Sequence, residues 1–254
     1  MNLVKYIITV FVAFCFSFIV KASAISENFE KANKAYEKQE YKDAIDNYSK
    51  ILKAGYESAY LYFNLGNSYF KSNDIANAIY FFEKAKRLNP SDEDIDFNLQ
   101  VARNKTIDKI DQLPKLFIFN WWDSFTDLFS SNLWSVISIM FFLLTLIFVG
   151  IYLFSDSAHK RKLFFSFALT LFFFTVLSFV SARQQHLLAF NPNEAIIFTP
   201  VVNVKSSPDA KATDIFIIHE GTKVNIMDNV GDWLEIKLSN GSKGWVERNV
   251  LQIL

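Results

Sequence analysis

The chain has 254 residues, 51% of them hydrophobic, but most of its 28 Phe crowd into residues 6–19 and 116–179, more than a small soluble core can absorb. Its 26 basic and 26 acidic side chains cancel, so no overall field recruits nucleic acid, and one Cys with three scattered His can build neither a disulfide framework nor a Cys/His metal cluster. The composition is that of a membrane-associated protein that needs no metal or other cofactor.

Residues 1–24 have the form of a secretory signal. Lys5 gives a positive start, Tyr6 to Val20 is an apolar run, and Ala22-Ser23-Ala24 supplies the small residues at a cleavage site. The run is shorter than the ~20 residues that span a bilayer comfortably, which favours cleavage after Ala24 over an uncleaved anchor. Phe14 before Cys15 stands where a lipobox needs a small residue. The exported chain is then free of cysteine, and its stability must come from regular packing.

From Ile25 the sequence repeats itself at an offset of 34. Phe29, Phe63 and Phe97 are successive steps, as are Asn33 to Asn67, Tyr36 to Phe70, Ala44 to Ala78, Tyr48 to Phe82, and Asn64-Leu65 to Asn98-Leu99. Leu65-Gly66, Tyr69, Ala78, Phe82, Ala85 and Pro90 match the tetratricopeptide pattern, with Tyr62 in place of its first Trp. Small residues at 66 and 78 allow two helices to cross closely. Asn73-Asp74 separates that pair, Pro90 ends it, and Ser91-Asp92 offer capping oxygens to a helix starting near Glu93. No further Ala/aromatic helix follows Leu99, so two repeats and a capping helix are expected over 25–112.

Such arrays capture peptides or proteins in the concave groove of their first helices. The register points Phe29, Asn33, Tyr36, Tyr60, Phe63, Asn67, Phe70 and Phe97 into that groove, with Asn64 and Asn98 as two rungs able to hydrogen-bond an extended backbone. The same aromatics could instead pack repeat on repeat. Phe29, Asp94 and Asn98 occupy positions where the carboxylate-clamp variant needs cations, so a charged C-terminal tail is not the expected ligand.

Over 113–132, Phe117, Trp121, Phe125, Leu128 and Phe129 fall at helical spacing opposite Asp123 and Asp127, an amphipathic segment suited to the bilayer interface or, alternatively, to packing on the repeats. Residues 133–154 and 163–182 are uncharged runs long enough to span. The loop 155–162 between them carries Lys160-Arg161-Lys162, which assigns it to the cytoplasm and both flanking domains to the outside. Neither run holds an ionisable residue, so an ion or proton pathway has no candidate.

After a linker over 183–193, residues 194–254 change to short alternating segments. Five strands are predicted, Ala195–Phe198, Val201–Lys205, Lys223–Asp228, Trp233–Leu238 and Gly244–Val246, with turns at Gly231-Asp232 and Asn240-Gly241. Val202 to Pro208, Glu220-Gly221-Thr222, Trp233 and Gly244-Trp245-Val246 resemble the bacterial SH3-type domain, although Lys205 and Ser207 replace its usual Arg and Gly. Trp233 and Trp245 are either an aromatic platform for peptide or cell wall, or core residues.

The fold class expected is therefore a multi-domain membrane protein: an all-α tetratricopeptide array, a two-helix transmembrane hairpin and an all-β SH3-like barrel. This order of parts, with Leu113-Pro114, Trp121-Trp122-Asp123-Ser124-Phe125, Phe129-Ser130-Ser131 and Phe216 to Gly221, resembles the BatE-type proteins of bacterial aerotolerance (Bat) operons. The resemblance implies an inner-membrane complex with von Willebrand factor A-type Bat proteins and a MoxR-type ATPase, acting in oxidative-stress tolerance, and it supplies no catalytic residues. A non-enzymatic scaffold is the leading reading and a membrane-anchored peptidoglycan-binding module the alternative. An enzyme is disfavoured, because His159, His186 and His219 are far apart in sequence and no cysteine remains to pair with them.

Overall fold

The computed structural model describes residues 25–111, 113–114, 116–191 and 193–254; the expected signal segment, 1–24, lies outside them. Five helices form the repeats: α1 (25–37), α2 (Tyr41–Lys53), α3 (Ala59–Lys71), α4 (Ile75–Leu88) and α5 (Glu93–Arg103). The turn inside each repeat places one residue in the left-handed region, Gln39 at φ 65° and Asn73 at φ 65°, again one period apart. Asp74 then caps α4 by accepting from the Asn77 N–H, and Asp92 caps α5 by accepting from the N–H groups of Asp94 and Ile95. At the crossing of α3 and α4, a Cβ added to Gly66 would meet the Phe82 ring at 2.6 Å, and Ala78 is fully buried.

Helix α6 (Phe117–Thr126) leads into α7 (Ser131–Phe154) and α8 (Ala158–Ala189), two helices long and apolar enough to cross a membrane. They pack side by side through Phe141 on Phe174, with ring centroids 5.6 Å apart, and through the Ser138 hydroxyl donating to the Thr175 carbonyl at 3.1 Å. Helix α8 differs from the sequence expectation at both ends. It starts early enough to take Lys160-Arg161-Lys162 into its first turns, and it continues through most of the segment expected to be a linker. Nothing in Arg183 to Ala189 breaks a helix, and Gln184 and Gln185 find partners on the neighbouring segment.

The C-terminal region is a seven-stranded antiparallel sheet in the order β3-β2-β6-β5-β4-β1-β7. Its strands are β1 (Glu194–Ile197), β2 (Val201–Lys205), β3 (Asp214–His219), β4 (Lys223–Val230), β5 (Trp233–Lys237), β6 (Lys243–Glu247) and β7 (Leu251–Ile253). Five were expected. β3 was hidden because Ile215, Phe216, Ile217 and Ile218 show no alternation, and β7 because three residues after a 3-10 turn leave too little pattern. The interior holds Ala195, Ile197, Val202, Val204, Ile218, Val224, Ile236, Leu238 and Val246.

Candidate binding surfaces and the seam between the domains

The first helices of the repeats present the groove residues side by side. Tyr60 and Phe97 are 61% and 67% exposed, and Tyr60 rests against Phe29 with ring centroids 5.5 Å apart. Asn33 accepts from the Tyr48 hydroxyl at 2.5 Å, and Asn98 donates to the Asn67 side-chain oxygen at 3.2 Å. Those bonds orient the amides but use only part of their capacity, because an Asn side chain has two donors and an acceptor with two lone pairs. Asn64, half-buried, lies one helix over from Asn98, and its carbonyl takes the Ser68 hydroxyl.

The other groove candidates face inward. Phe63 packs on Phe82, Tyr36 on Tyr41, and Phe70 joins the core of the second repeat beneath the Lys105 ammonium, 4.6 Å from its ring centre. The exposed part of the surface is thus Tyr60 and Phe97 flanked by oriented amides. It can hold an extended chain by hydrogen bonds and bury its apolar side chains.

Trp233 and Trp245 lie on the outer face of the sheet. In the β5–β6 ladder Trp233 pairs with Glu247 and Glu235 with Trp245, so the indoles are diagonal neighbours, whereas Leu234, Ile236 and Val246 alternate into the core. Both are half-buried.

The sequence did not reveal a third surface, along which the barrel is docked on the repeats. Helix α4 turns Ile79, Tyr80, Glu83 and Arg87 toward it, all on one stripe. Ile196, Phe198 and Leu254 complete the apolar cluster of Ala78, Ile79, Tyr80, Leu99 and Ala102, and Tyr80 meets Phe198 edge to face. Buried Glu83 accepts from Arg103 on α5 and from Lys223 on β4; Lys223 also reaches Glu194 at 2.9 Å, and Arg87 bonds Glu194 at 2.8 Å. Burial pushes the Glu83 carboxyl up, but Lys223 and Arg103 outweigh it and hold it below the usual carboxylate range.

The segment leaving α5 straps this contact. Asp108 accepts from the His219 backbone N–H at 2.6 Å and from the Thr222 hydroxyl at 2.6 Å, and it lies 2.8 Å from His219 Nδ1. Burial raises this carboxyl too, and the bonds from Thr222 and His219 more than offset the rise. Gly221, at φ +83°, comes so close that an added Cβ would meet Thr106 at 2.8 Å and Ile79 at 3.1 Å. Ile110 packs on the barrel core, and the Leu113 N–H donates to the Ser239 carbonyl. The His219-Glu220-Gly221 turn therefore serves contact with the repeats. Docking uses α4 and, through Leu99, Ala102 and Arg103, part of α5, while Tyr60 on α3 and Phe97 on α5 remain exposed.

Among the described residues no group of three His, Cys, Asp or Glu is placed to hold a metal. His159 and His186 lie near opposite ends of α8, and His219 faces Asp108.

Residues 29–93 match the tetratricopeptide repeat family, and residues 200–252 match the bacterial SH3 domain family; both are non-catalytic binding modules. A curated protein of Bacillus subtilis (strain 168), "Putative N-acetylmuramoyl-L-alanine amidase YrvJ", is 34% identical over 73 residues in the SH3 region. The match covers 29% of this chain and 12% of that protein, so the chain spans about an eighth of its length.

Proposed function

We propose that the chain is a membrane-anchored, non-enzymatic scaffold that captures partner proteins or extended peptides in the groove of its repeats. The observation that carries this reading is the docking geometry: the barrel covers α4 and part of α5 and leaves Tyr60 on α3 and Phe97 on α5 exposed. Repeats and barrel form one head on one side of the two spans. The basic cluster Lys160-Arg161-Lys162 supports a cytoplasmic loop, with the head outside the bacterial inner membrane. The order of parts supports a place among the Bat proteins, with von Willebrand factor A-type Bat proteins and a MoxR-type ATPase as partners in oxidative-stress tolerance.

A second reading has a specific observation in its favour. The outer face of the sheet carries Trp233 and Trp245, and the relative that matches this region is named for a cell-wall enzyme. In that version the barrel grips peptidoglycan and the repeats act as spacers.

The full-length chain separates the two. Tyr60→Ala with Phe97→Ala removes two exposed rings of the kind that dominate interfaces, so capture of crosslinked partners should fall at least about tenfold with helical content unchanged. Trp245→Ala should leave that capture intact and should matter only for sedimentation with purified wall material. Unchanged capture by the first variant, with lost wall binding by the second, overturns the scaffold reading. For topology, a cysteine replacing His159 should resist an impermeant thiol reagent in intact cells while one at Tyr56 reacts.

A further inference from the structure

Helix α6 joins the head to the first span, and its two halves differ. The C-terminal half is bonded to both spanning helices. Trp122 donates its indole N–H to Gln184 at 2.5 Å, Gln185 donates to Asp127 at 2.7 Å, and the Trp134 indole N–H donates to the Thr126 carbonyl at 2.9 Å; beside them Ser131 of α7 donates to the Ala182 carbonyl of α8 at 3.1 Å. Phe125 fills the space between Trp122 and Trp134. The N-terminal half shows no such partners among the described residues: residues 116–121 are all exposed, Phe117 at 84% and Trp121 at 67%.

The bracket also fixes a level. Ala182 is the last residue of the uncharged run in α8, Arg183 the first charge after it, and α6 is tied to Gln184 and Gln185. Trp122 and Asp127 are therefore level with the end of that run, where hydrocarbon gives way to headgroups, the zone that aromatic side chains favour, and Phe117 and Trp121 occupy the turns that lead into it. Leu133 and Val136, in the first turns of α7, are exposed as well.

We propose that α6 is a bilayer-docking surface, with Phe117, Ile118 and Trp121 inserted in the interfacial layer on the head's side, so that it holds the repeat–barrel head at a fixed height above the membrane. The proposal rests on the reading that α7 and α8 span. Its occupant is lipid rather than a second protein, because α6 is bonded to both apolar helices at the ends of their uncharged runs. The attachment is apolar, not electrostatic. Phe117 to Thr126 contains no cation, and Asp123 and Asp127 border its C-terminal half.

The test uses the full-length chain with Cys15→Ser in phosphatidylcholine vesicles, carrying one environment-sensitive fluorophore at Phe117→Cys, Phe142→Cys or Tyr56→Cys. Position 117 should be quenched by lipids labelled just below the headgroup at least about twofold more than position 56, and more than by lipids labelled near the bilayer centre. Position 142, exposed on the first span, should show the deep pattern. Quenching at 142 without quenching at 117 overturns the proposal and leaves the spans standing. Absence of quenching at 142 means that the spanning reading has failed, and the proposal with it. Quenching at 117 should be equal in anionic vesicles and unchanged at high salt; dependence on either overturns the apolar attachment. Quenching at 117 that appears only when the protein is diluted into excess lipid assigns the face to a second copy of this chain and overturns lipid as the occupant.

Discussion

The second helices of the two repeats began as the same element and have been put to different uses. One period apart, Ile45, Asp46, Ser49 and Lys53 of α2 correspond to Ile79, Tyr80, Glu83 and Arg87 of α4. On α2, Asp46 and Lys53 are exposed, Ser49 is half-buried and Ile45 packs on the core of its own repeat. On α4, Ile79, Tyr80 and Glu83 are buried and Arg87 is bonded to the barrel. The residues that define the repeat, Ala44 and Ala78 or Tyr48 and Phe82, are buried in both. Within a repeat protein, then, the period reports the internal core, and a local departure from the period marks what the surface is for.

That comparison can be broken most directly by grafting. Tyr80→Asp, Glu83→Ser and Arg87→Lys together replace the docking stripe of α4 by the corresponding residues of α2. The repeats should keep their helical content while the barrel undocks, seen as lost hydrogen-exchange protection at β1 and at the His219 N–H. Glu83 alone is the largest single contributor. Glu83→Ala leaves Arg103 and Lys223 without their shared carboxylate, a change of at most about 3–5 kcal/mol for a broken buried pair and lessened here because Lys223 keeps Glu194 and Arg103 is partly exposed; the same readout applies. Ordinary protection at the seam in the grafted variant would mean that the apolar contacts of Ile196 and Phe198 are sufficient alone.

A smaller effect is expected at Gly221. Gly221→Ala combines the positive φ, about 1–2 kcal/mol, with the clash against Thr106 and Ile79, about 1–3 kcal/mol. Gly231→Ala has the positive φ and open space around it, so it should cost the first amount only, as read by thermal denaturation of the two variants.

Acid should act late on the seam. Glu83 and Asp108 are both held below their usual values in the docked state, so undocking takes up protons. Their contribution is complete above the ordinary carboxylate range and falls away only as pH drops through and below about 4. Exchange at the His219 N–H should be as slow, after correction for intrinsic rate, at pH 5.5 as at pH 7. The smallest effect belongs to α2: Ser49→Ala should change stability by less than about 0.5 kcal/mol.

Much of this architecture was legible because it is written in local periodicity. The 34-residue offset gave the helices, Asn73-Asp74 and Pro90 gave their ends, and uncharged runs gave α7 and α8. Alternation gave the strands in which core and solvent faces differ, and failed at β3, where Ile215 and Ile217 are apolar on the exposed side. The seam escaped because it joins Asp108 to His219 and Glu83 to Lys223 across two intervening apolar helices, and no window of sequence contains both partners. The departures at Tyr80, Glu83 and Arg87 were the available signal. For the groove, register identified a face but not which rings on it are committed to the core, since Phe63 and Tyr60 are three residues apart and differ only in what lies across from them.

The strap and the docked barrel also impose an order on biosynthesis. The repeats come before the barrel in the chain, but their Ile79–Tyr80 stripe has no cover until the two apolar helices, β1 and the His219-Glu220-Gly221 turn have been made. During that interval an apolar patch is bare on the nascent repeats. Closure then waits for both apolar helices and β1, so a chain cut short before them displays Tyr80 and can be told from a finished one.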